Sequence, residues 1–157
     1  MRRKDREITD LQVIREIINN ISCCRLGFYD DGEVYIVPMN FGVVYSKEDK
    51  ITLYFHSAKE GRKIELISKS SSVGFEMDTN YKLKSAEIAC DCTASFESII
   101  GTGVVSFVEE RIEKEKGLNA IMYQSTKKGD WKYNDKMLDR VCVFKVQVTK
   151  ISCKVHE

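Results

Sequence analysis

Apolar residues recur along this chain with two periods, and the change from one to the other marks out the elements. Leu11, Ile14, Ile17, Ile18 and Ile21 fall at helical spacing, so residues 8–22 predict a helix capped by Thr9 or Asp10. From Cys24 the period shortens to two. Cys24 to Tyr29 reads as a strand, Asp30-Asp31-Gly32 as a hairpin turn in which Gly supplies a positive φ, and Val34 to Val44 as a second strand. Ser46 to Lys50 is a polar turn, and Ile51 to His56 a third strand. Ile64, Leu66 and Ile67 give Glu60 to Ser68 a helical pattern that Ser70-Ser71-Ser72 ends. Val73 to Met77 is a fourth strand. The polar stretch Asp78 to Ser85 then leads into a β segment, Ala86 to Phe96, and Ile99 to Glu109 follows as another strand broken by Gly101 and Gly103. Glu110 to Gln124 predicts a second long helix, Ser125 to Asp135 a polar loop holding Trp131 and Tyr133, and Asn134 to Arg140 a short helix. Val141 to Val155 alternates as one long strand or two joined.

Short strands joined by hairpin-type turns, with few helices, point to a mainly β fold: one domain over residues 1–157, built as an antiparallel β-barrel with peripheral helices. The single proline, Pro38, lies inside a predicted strand. It cannot donate to a ladder, so it marks an edge, a bulge or a break. A break exposes backbone amides and carbonyls that a planar heterocycle can use.

Composition narrows the function classes. A formal charge of +1, with 43% hydrophobic and 31% charged residues, fits a soluble globular chain and selects neither nucleic acid nor an anionic membrane. The basic start Met1-Arg2-Arg3-Lys4 reads as a frayed terminus. No apolar run approaches the ~20 residues of a membrane span, and none follows the basic start as in a signal peptide, so the expected compartment is the cytoplasm. Six cysteines, at 23, 24, 90, 92, 142 and 153, are expected to be reduced and to pack as small hydrophobes. Cys90-Asp91-Cys92 would place two thiols on one strand face, short of the four ligands zinc takes.

Candidate chemistry concentrates at residues 56–63. His56, Ser57, Gly61, Arg62 and Lys63 fall in one loop and the first turn of a predicted helix. Free N–H groups, the helix dipole and two cations suit a phosphate monoester, although the same residues also fit an ordinary solvated helix start. Neither a dinucleotide-binding nor a P-loop glycine motif is present.

The two blocks Tyr35-Ile36-Val37-Pro38-Met39-Asn40-Phe41-Gly42 and Leu53-Tyr54-Phe55-His56-Ser57-Ala58-Lys59-Glu60-Gly61-Arg62-Lys63 resemble the flavin-binding split-barrel family related to pyridoxamine-phosphate oxidase. The nearest branch is that of nitroimidazole-resistance proteins. The opening residues 1–7, the block Phe96-Glu97-Ser98-Ile99-Ile100-Gly101-Thr102-Gly103 and the terminal Val146, Thr149, Ile151 and Lys154 fit the same branch, so the likeness spans nearly the whole chain.

The resemblance implies a split barrel of about six to seven antiparallel strands that forms a homodimer with FMN in interface clefts. Val37, Pro38, Met39 and Asn40 would line the flavin ring. His56 and Ser57 would sit by the ribityl chain and phosphate, and Arg62 and Lys63 would neutralise the phosphate. Ser98 and Ile99 would lie near the site, from the partner chain. Gln124 or Trp131 would cover the ring. The implied activity is that of an FMN-dependent oxidoreductase, a nitroreductase acting on nitroimidazole-like or other small aromatic substrates. His56 would be a proton donor, since an imidazole ordinarily titrates near pH ~6.5. Electrons would come from NADH, NADPH or a separate reductase. Pyridoxamine-phosphate oxidation itself is not expected, because Val141 to Glu157 carries only Lys145, Lys150 and Lys154 in place of an arginine-rich segment. The alternatives are a flavin- or haem-binding protein without turnover, and an interaction module without cofactor. His56 and His156 are the only imidazoles, and His156 is expected to be solvated.

Overall fold

The computed structural model describes residues 3–157, so Met1 and Arg2 of the predicted frayed terminus lie outside it. A short strand, β1 (Glu7–Ile8), precedes helix α1 (Leu11–Asn20), whose cap is Asp10 accepting from the Gln12 amide at 2.8 Å. Strands β2 (Cys24–Asp30) and β3 (Glu33–Met39) form a hairpin closed by Asp31 and Gly32, both at positive φ. Next come β4 (Gly42–Tyr45), β5 (Ile51–Ser57) and helix α2 (Arg62–Lys69). Two long strands follow, β6 (Ser72–Lys84) and β7 (Thr93–Phe107), then helices α3 (Arg111–Thr126) and α4 (Asp135–Arg140), then β8 (Cys142–His156). Every pairing is antiparallel. The order across the sheet is β3-β2-β6-β7-β8-β5-β4, with β1 added to β8.

The span 34–44, which reads in sequence as one strand, is two. β3 pairs only with β2 and β4 only with β5, at opposite ends of the strand order. Asn40 and Phe41 carry the chain from one edge of the curled sheet to the other, and no ladder joins the two edges: this is the split in the barrel. Alternation does not reveal it, because Phe41 is fully buried and keeps the inward phase going across the break. Pro38 falls on β3, an edge strand, where its missing N–H costs no ladder bond.

Inside the barrel Phe55 and Phe144 stack at 5.3 Å between ring centroids, both fully buried. Leu26, Met39, Phe41, Met77, Ile99 and the buried face of α1 complete that core. A smaller core lies on the outer side of β5 and β8, where α3 and α4 pack Leu118, Ile121 and Leu138 against Tyr54 and Val143. Two glycines let α3 come this close. A Cβ on Gly42 would lie 2.2 Å from the Ile121 amide nitrogen, and one on Gly117 would lie 2.6 Å from the Tyr54 ring. Helix α3 also caps α1. Gln124 Nε2 donates to the carbonyls of Ile18 and Ile21, each at 2.8 Å, and Lys127 Nζ donates to that of Asn19, also at 2.8 Å. Gln124 is therefore a buried clamp between helices, not a cover for a ring.

Three further expectations change. β6 runs on to Lys84 through polar residues 78–84, because beyond the barrel it pairs with β7 and has no buried face to impose alternation. β7 is one strand through Ser98, Gly101 and Gly103. A Cβ at Gly101 would meet the Lys150 carbonyl at 2.4 Å, so that glycine serves a close crossing rather than a break. Cys90 and Cys92 are exposed at a single 3₁₀ turn, Ala89–Asp91, rather than buried on a strand. Cys24 and Cys153 are buried as expected, and all six cysteines are free. Among the described residues no cluster of three or more His, Cys, Asp or Glu side chains is placed to hold a metal, and no helix is long and apolar enough to cross a membrane.

One half-buried network ties α3 to the sheet. Glu113 Oε1 accepts from the Tyr54 hydroxyl at 3.0 Å and from Lys145 Nζ at 2.5 Å. Burial pushes the Tyr54 hydroxyl up to about 12, and the Lys145 bond holds the Glu113 carboxyl below its ordinary 4.5. A depressed carboxyl contributes stability that is complete above its unfolded value and lost as pH falls through the folded one. Glu113→Gln should therefore cost about 1–2 kcal/mol at neutral pH. It should also flatten the loss of stability below pH 4.5 in acid titrations followed by denaturant unfolding. Gly42→Ala should cost about 2–3 kcal/mol by overpacking, lowering Tm by roughly 5–10 °C. An unchanged Tm would show that α3 does not rest on that strand.

Candidate functional site

Of the residues that the sequence singled out, some are exposed near the split in the sheet and others are buried. Along β3, Val37 is half-buried opposite Leu26, and Met39 turns inward opposite Cys24. Pro38 and Asn40 face solvent. Gly42 opens β4 opposite Tyr54. His56, two residues beyond Tyr54 on β5, is exposed as well. The Asn40 amide and the His56 imidazole are both exposed, and β3 is an edge strand whose outer backbone groups have no ladder partner.

Beyond His56 the strand ends at Ser57, whose hydroxyl donates to the Ala58 carbonyl at 2.7 Å and retains its lone pairs as acceptors. Gly61 follows at φ 119, a conformation that favours glycine, and caps α2 without a side-chain bond. The amides of Ile64 and Glu65 turn back to the Gly61 carbonyl, so those of Arg62 and Lys63 are the first-turn donors left over.

The two cations of that turn diverge. Arg62 reaches back to the β2–β3 hairpin, where its guanidinium meets Asp30 at 2.8 Å and Glu33 at 3.5 Å and lies 4.8 Å from the Tyr35 ring centroid. The guanidinium is thus engaged with two carboxylates and a ring at the hairpin. Lys63 is half-buried and forms no ion pair among the described residues.

Ser98 and Ile99 are not brought to this place within one chain. They pair with Lys154 and Cys153 on β8, whereas Ser57 and His56 pair with Cys142 and Val143 on the same strand. Eleven residues separate the two positions, about 35 Å of strand. Ile99 is fully buried, and Ser98 is half-buried on the outer face. Trp131 is exposed, its indole N–H donating to the Lys128 carbonyl at 3.0 Å. His156 is half-buried rather than solvated: its Nδ1 lies 2.7 Å from the Ala94 carbonyl, with its ring edge-on to Phe96.

Sequence reasoning missed one group altogether. The pairing of Ser57 with Cys142 brings the start of β8 to the α2 end of the barrel, beside Lys59, Lys63 and Lys114. These residues lie as much as 83 positions apart, and only the strand register joins them. No local spacing carries that signal.

A family model described as pyridoxamine 5′-phosphate oxidase matches residues 10–155. The crystal structure of a candidate 5-nitroimidazole antibiotic resistance protein from Bacteroides thetaiotaomicron superposes with a TM-score of 0.79 at 36% identity, covering 95% of this chain and 86% of that one. An FAD and haem binding protein from Mycobacterium smegmatis superposes at 0.81 with 12% identity over 97% and 74% of the two chains. An FAD binding protein from the same organism does so at 0.62 with 20% identity over 96% and 98%. At those identities the last two show the fold alone. No curated protein sequence matches. An eight-stranded split barrel, a match over nearly its whole length and a relative at 36% identity place this chain in the pyridoxamine 5′-phosphate oxidase family, beside its nitroimidazole-resistance type.

Proposed function

We propose that this protein is a flavin-dependent oxidoreductase that holds FMN along the seam between β3 and β5. The carrying observation is the split itself: Asn40 exposed where β3 ends, His56 exposed where β5 ends, and beyond it a glycine-capped helix start where Lys63 forms no ion pair among the described residues. The donor set fits the cofactor. The outward-facing backbone of the edge strand at residues 37–40 suits the polar rim of a flavin ring, and the first-turn amides of α2 with Lys63 suit its phosphate. Bound there, the flavin supplies the transfer of electrons between a donor and an acceptor.

The chain's own groups orient and protonate. Val37 and Met39 give the seam an apolar wall, Asn40 supplies an amide for hydrogen bonding, and His56 offers a proton to an acceptor above the ring. The reading extends to a homodimer. Ser98 joins the seam only if a second chain brings it there, and the outer face of β3-β2-β6-β7 is suited to such packing. Val34, Ile36, Ile100 and Val104 are exposed on that face, and Gly27 and Gly74 keep it flat. A nitro group on a small aromatic ring is the proposed acceptor, in keeping with the relative at 36% identity. A nicotinamide nucleotide or a partner reductase supplies the electrons. The proposed compartment is the cytoplasm.

Titration of apoprotein with FMN, read by flavin fluorescence, tests the assignment. Lys63→Ala should weaken binding by about 1.5–3 kcal/mol, one to two decades in Kd. Arg62→Ala, already paired to Asp30, should change Kd by less than about threefold. Equal losses in both variants, or none at Lys63, would refute the phosphate placement. His56→Gln should leave FMN affinity near its parent value while slowing reduction of a nitroaromatic acceptor by about two decades. Unaltered turnover would remove His56 from the chemistry.

A further inference from the structure

Beyond the barrel β6 and β7 continue as a two-stranded ribbon, and its tip carries the chain's two exposed thiols. After a bulge at Asn80 and Tyr81 the ladder resumes, pairing Lys82 with Ser95, Leu83 with Ala94 and Lys84 with Thr93. Ser95 Oγ donates to the Lys82 carbonyl at 3.4 Å, and His156 Nδ1 lies 2.7 Å from the Ala94 carbonyl, so the base of the ribbon is held. Residues 85–92 connect the two strands, and Cys90 and Cys92 are exposed within that loop. Of the other cysteines, Cys23 and Cys142 are half-buried and Cys24 and Cys153 are buried.

The two exposed thiols differ in their surroundings. Cys92 Sγ accepts from the Ala86 amide at 3.3 Å and faces the carbonyls of Ala86 and Ile88 at 3.6 and 3.8 Å, which anchors it across the loop. Cys90 Sγ has one polar contact, the Asp91 carboxylate at 4.0 Å, and is otherwise open. The turn also sets their spacing. On a strand, Cα atoms two residues apart stand about 6.6 Å from one another. The 3₁₀ turn Ala89–Asp91 gives Asp91 a helical backbone and shortens that span to about 5.5 Å, close to the commonest separation in disulfides. One sulfur open to a partner, with a second anchored two residues on, is the arrangement that thiol–disulfide exchange requires.

We propose that Cys90 and Cys92 form a thiol–disulfide exchange site whose substrate is a small disulfide of the glutathione type. The Cys90 thiolate attacks one sulfur of that disulfide, forming a mixed disulfide and releasing one thiolate. The Cys92 thiolate then attacks the Cys90 sulfur, and the second half of the substrate leaves as a thiolate. The protein gives up two electrons and two protons; the leaving thiolates take the protons, and the disulfide ends as two thiols. Excess thiol runs both steps in reverse. Closing the ring draws Cys92 Sγ from the Ala86 amide, so the loop differs between the two redox states. In a reducing compartment such a bond is transient and redox-sensing rather than structural. The site shares no residue with the seam and does not depend on a flavin.

The tryptic peptide Ser85–Arg111 holds both thiols and no other cysteine, so it reports on the pair alone. The protein as purified is incubated under argon with glutathione disulfide, quenched at intervals with N-ethylmaleimide, digested and weighed by mass spectrometry. The doubly alkylated peptide should give way to one that takes up no maleimide and is two hydrogens lighter than the dithiol, and dithiothreitol should restore it. Cys92→Ser should stop at a glutathione adduct on Cys90, formed near the parent rate. Cys90→Ser should react about tenfold more slowly, because its remaining sulfur is engaged with the loop backbone. Both substitutions are at exposed positions, and the parent measurement alone decides the proposal should either variant fail to fold. A parent peptide that ends as a glutathione adduct, a disulfide between two chains on a non-reducing gel, or a pair left reduced in a large excess of glutathione disulfide overturns the proposal. Equal rates in the two variants overturn the roles given to the two sulfurs.

Discussion

The fold turns on one crossing. Within Asn40 and Phe41 the chain leaves one edge of a curled sheet and joins the other, with Phe41 fully buried and the backbone of α3 resting on Gly42. Burying the aromatic anchors the crossing from inside, and the missing Cβ at Gly42 lets the helix press on it from outside. Because the crossing is fixed, β3 stays an edge strand, Pro38 is tolerated, and Asn40 is left exposed where β3 ends. A barrel closed by a β3–β4 ladder would have paired the backbone that now faces solvent. The site follows from incomplete closure, and the packing of α3 maintains that state.

Electrostatics then sorts the polar residues around the seam. Arg62 and Lys63 are neighbours in sequence, yet one is drawn to Asp30 and Glu33 while the other stays uncommitted. A bidentate-capable guanidinium beside two carboxylates and an aromatic ring has better partners at hand than a distant anion. The ammonium groups at 59, 63 and 114 form no ion pair among the described residues, and Lys114 donates to the Leu138 carbonyl. Glu113, by contrast, is satisfied by Tyr54 and Lys145 and serves to hold α3 in place.

Much of this was legible in the chain. The 3.6-residue spacing of Ile14, Ile17 and Ile18 gave α1, Asp31-Gly32 gave its hairpin, and Pro38 marked an edge. What local pattern missed has physical causes. The polar end of β6 has no buried face, so period-two alternation is absent where a strand nevertheless exists. Gly101 reads as a breaker, yet it permits a close crossing over Lys150 and Phe75. Of the candidate site, residues 37–40 lie where β3 ends, and 56, 57 and 63 lie where β5 ends and α2 begins. Arg62 pairs with carboxylates some 30 positions earlier, and Ser98 with Ile99, on β7, pair with the far end of β8. The group around Cys142 depends wholly on long-range register, which no spacing rule encodes.

The account stands or falls on a cofactor along the seam, and the absorbance spectrum of the purified protein, recorded before and after denaturation, addresses that directly. The account predicts a two-band flavin spectrum whose released chromophore approaches one equivalent per chain. A Soret band in its place, or a colourless protein that takes up no added FMN, would contradict it.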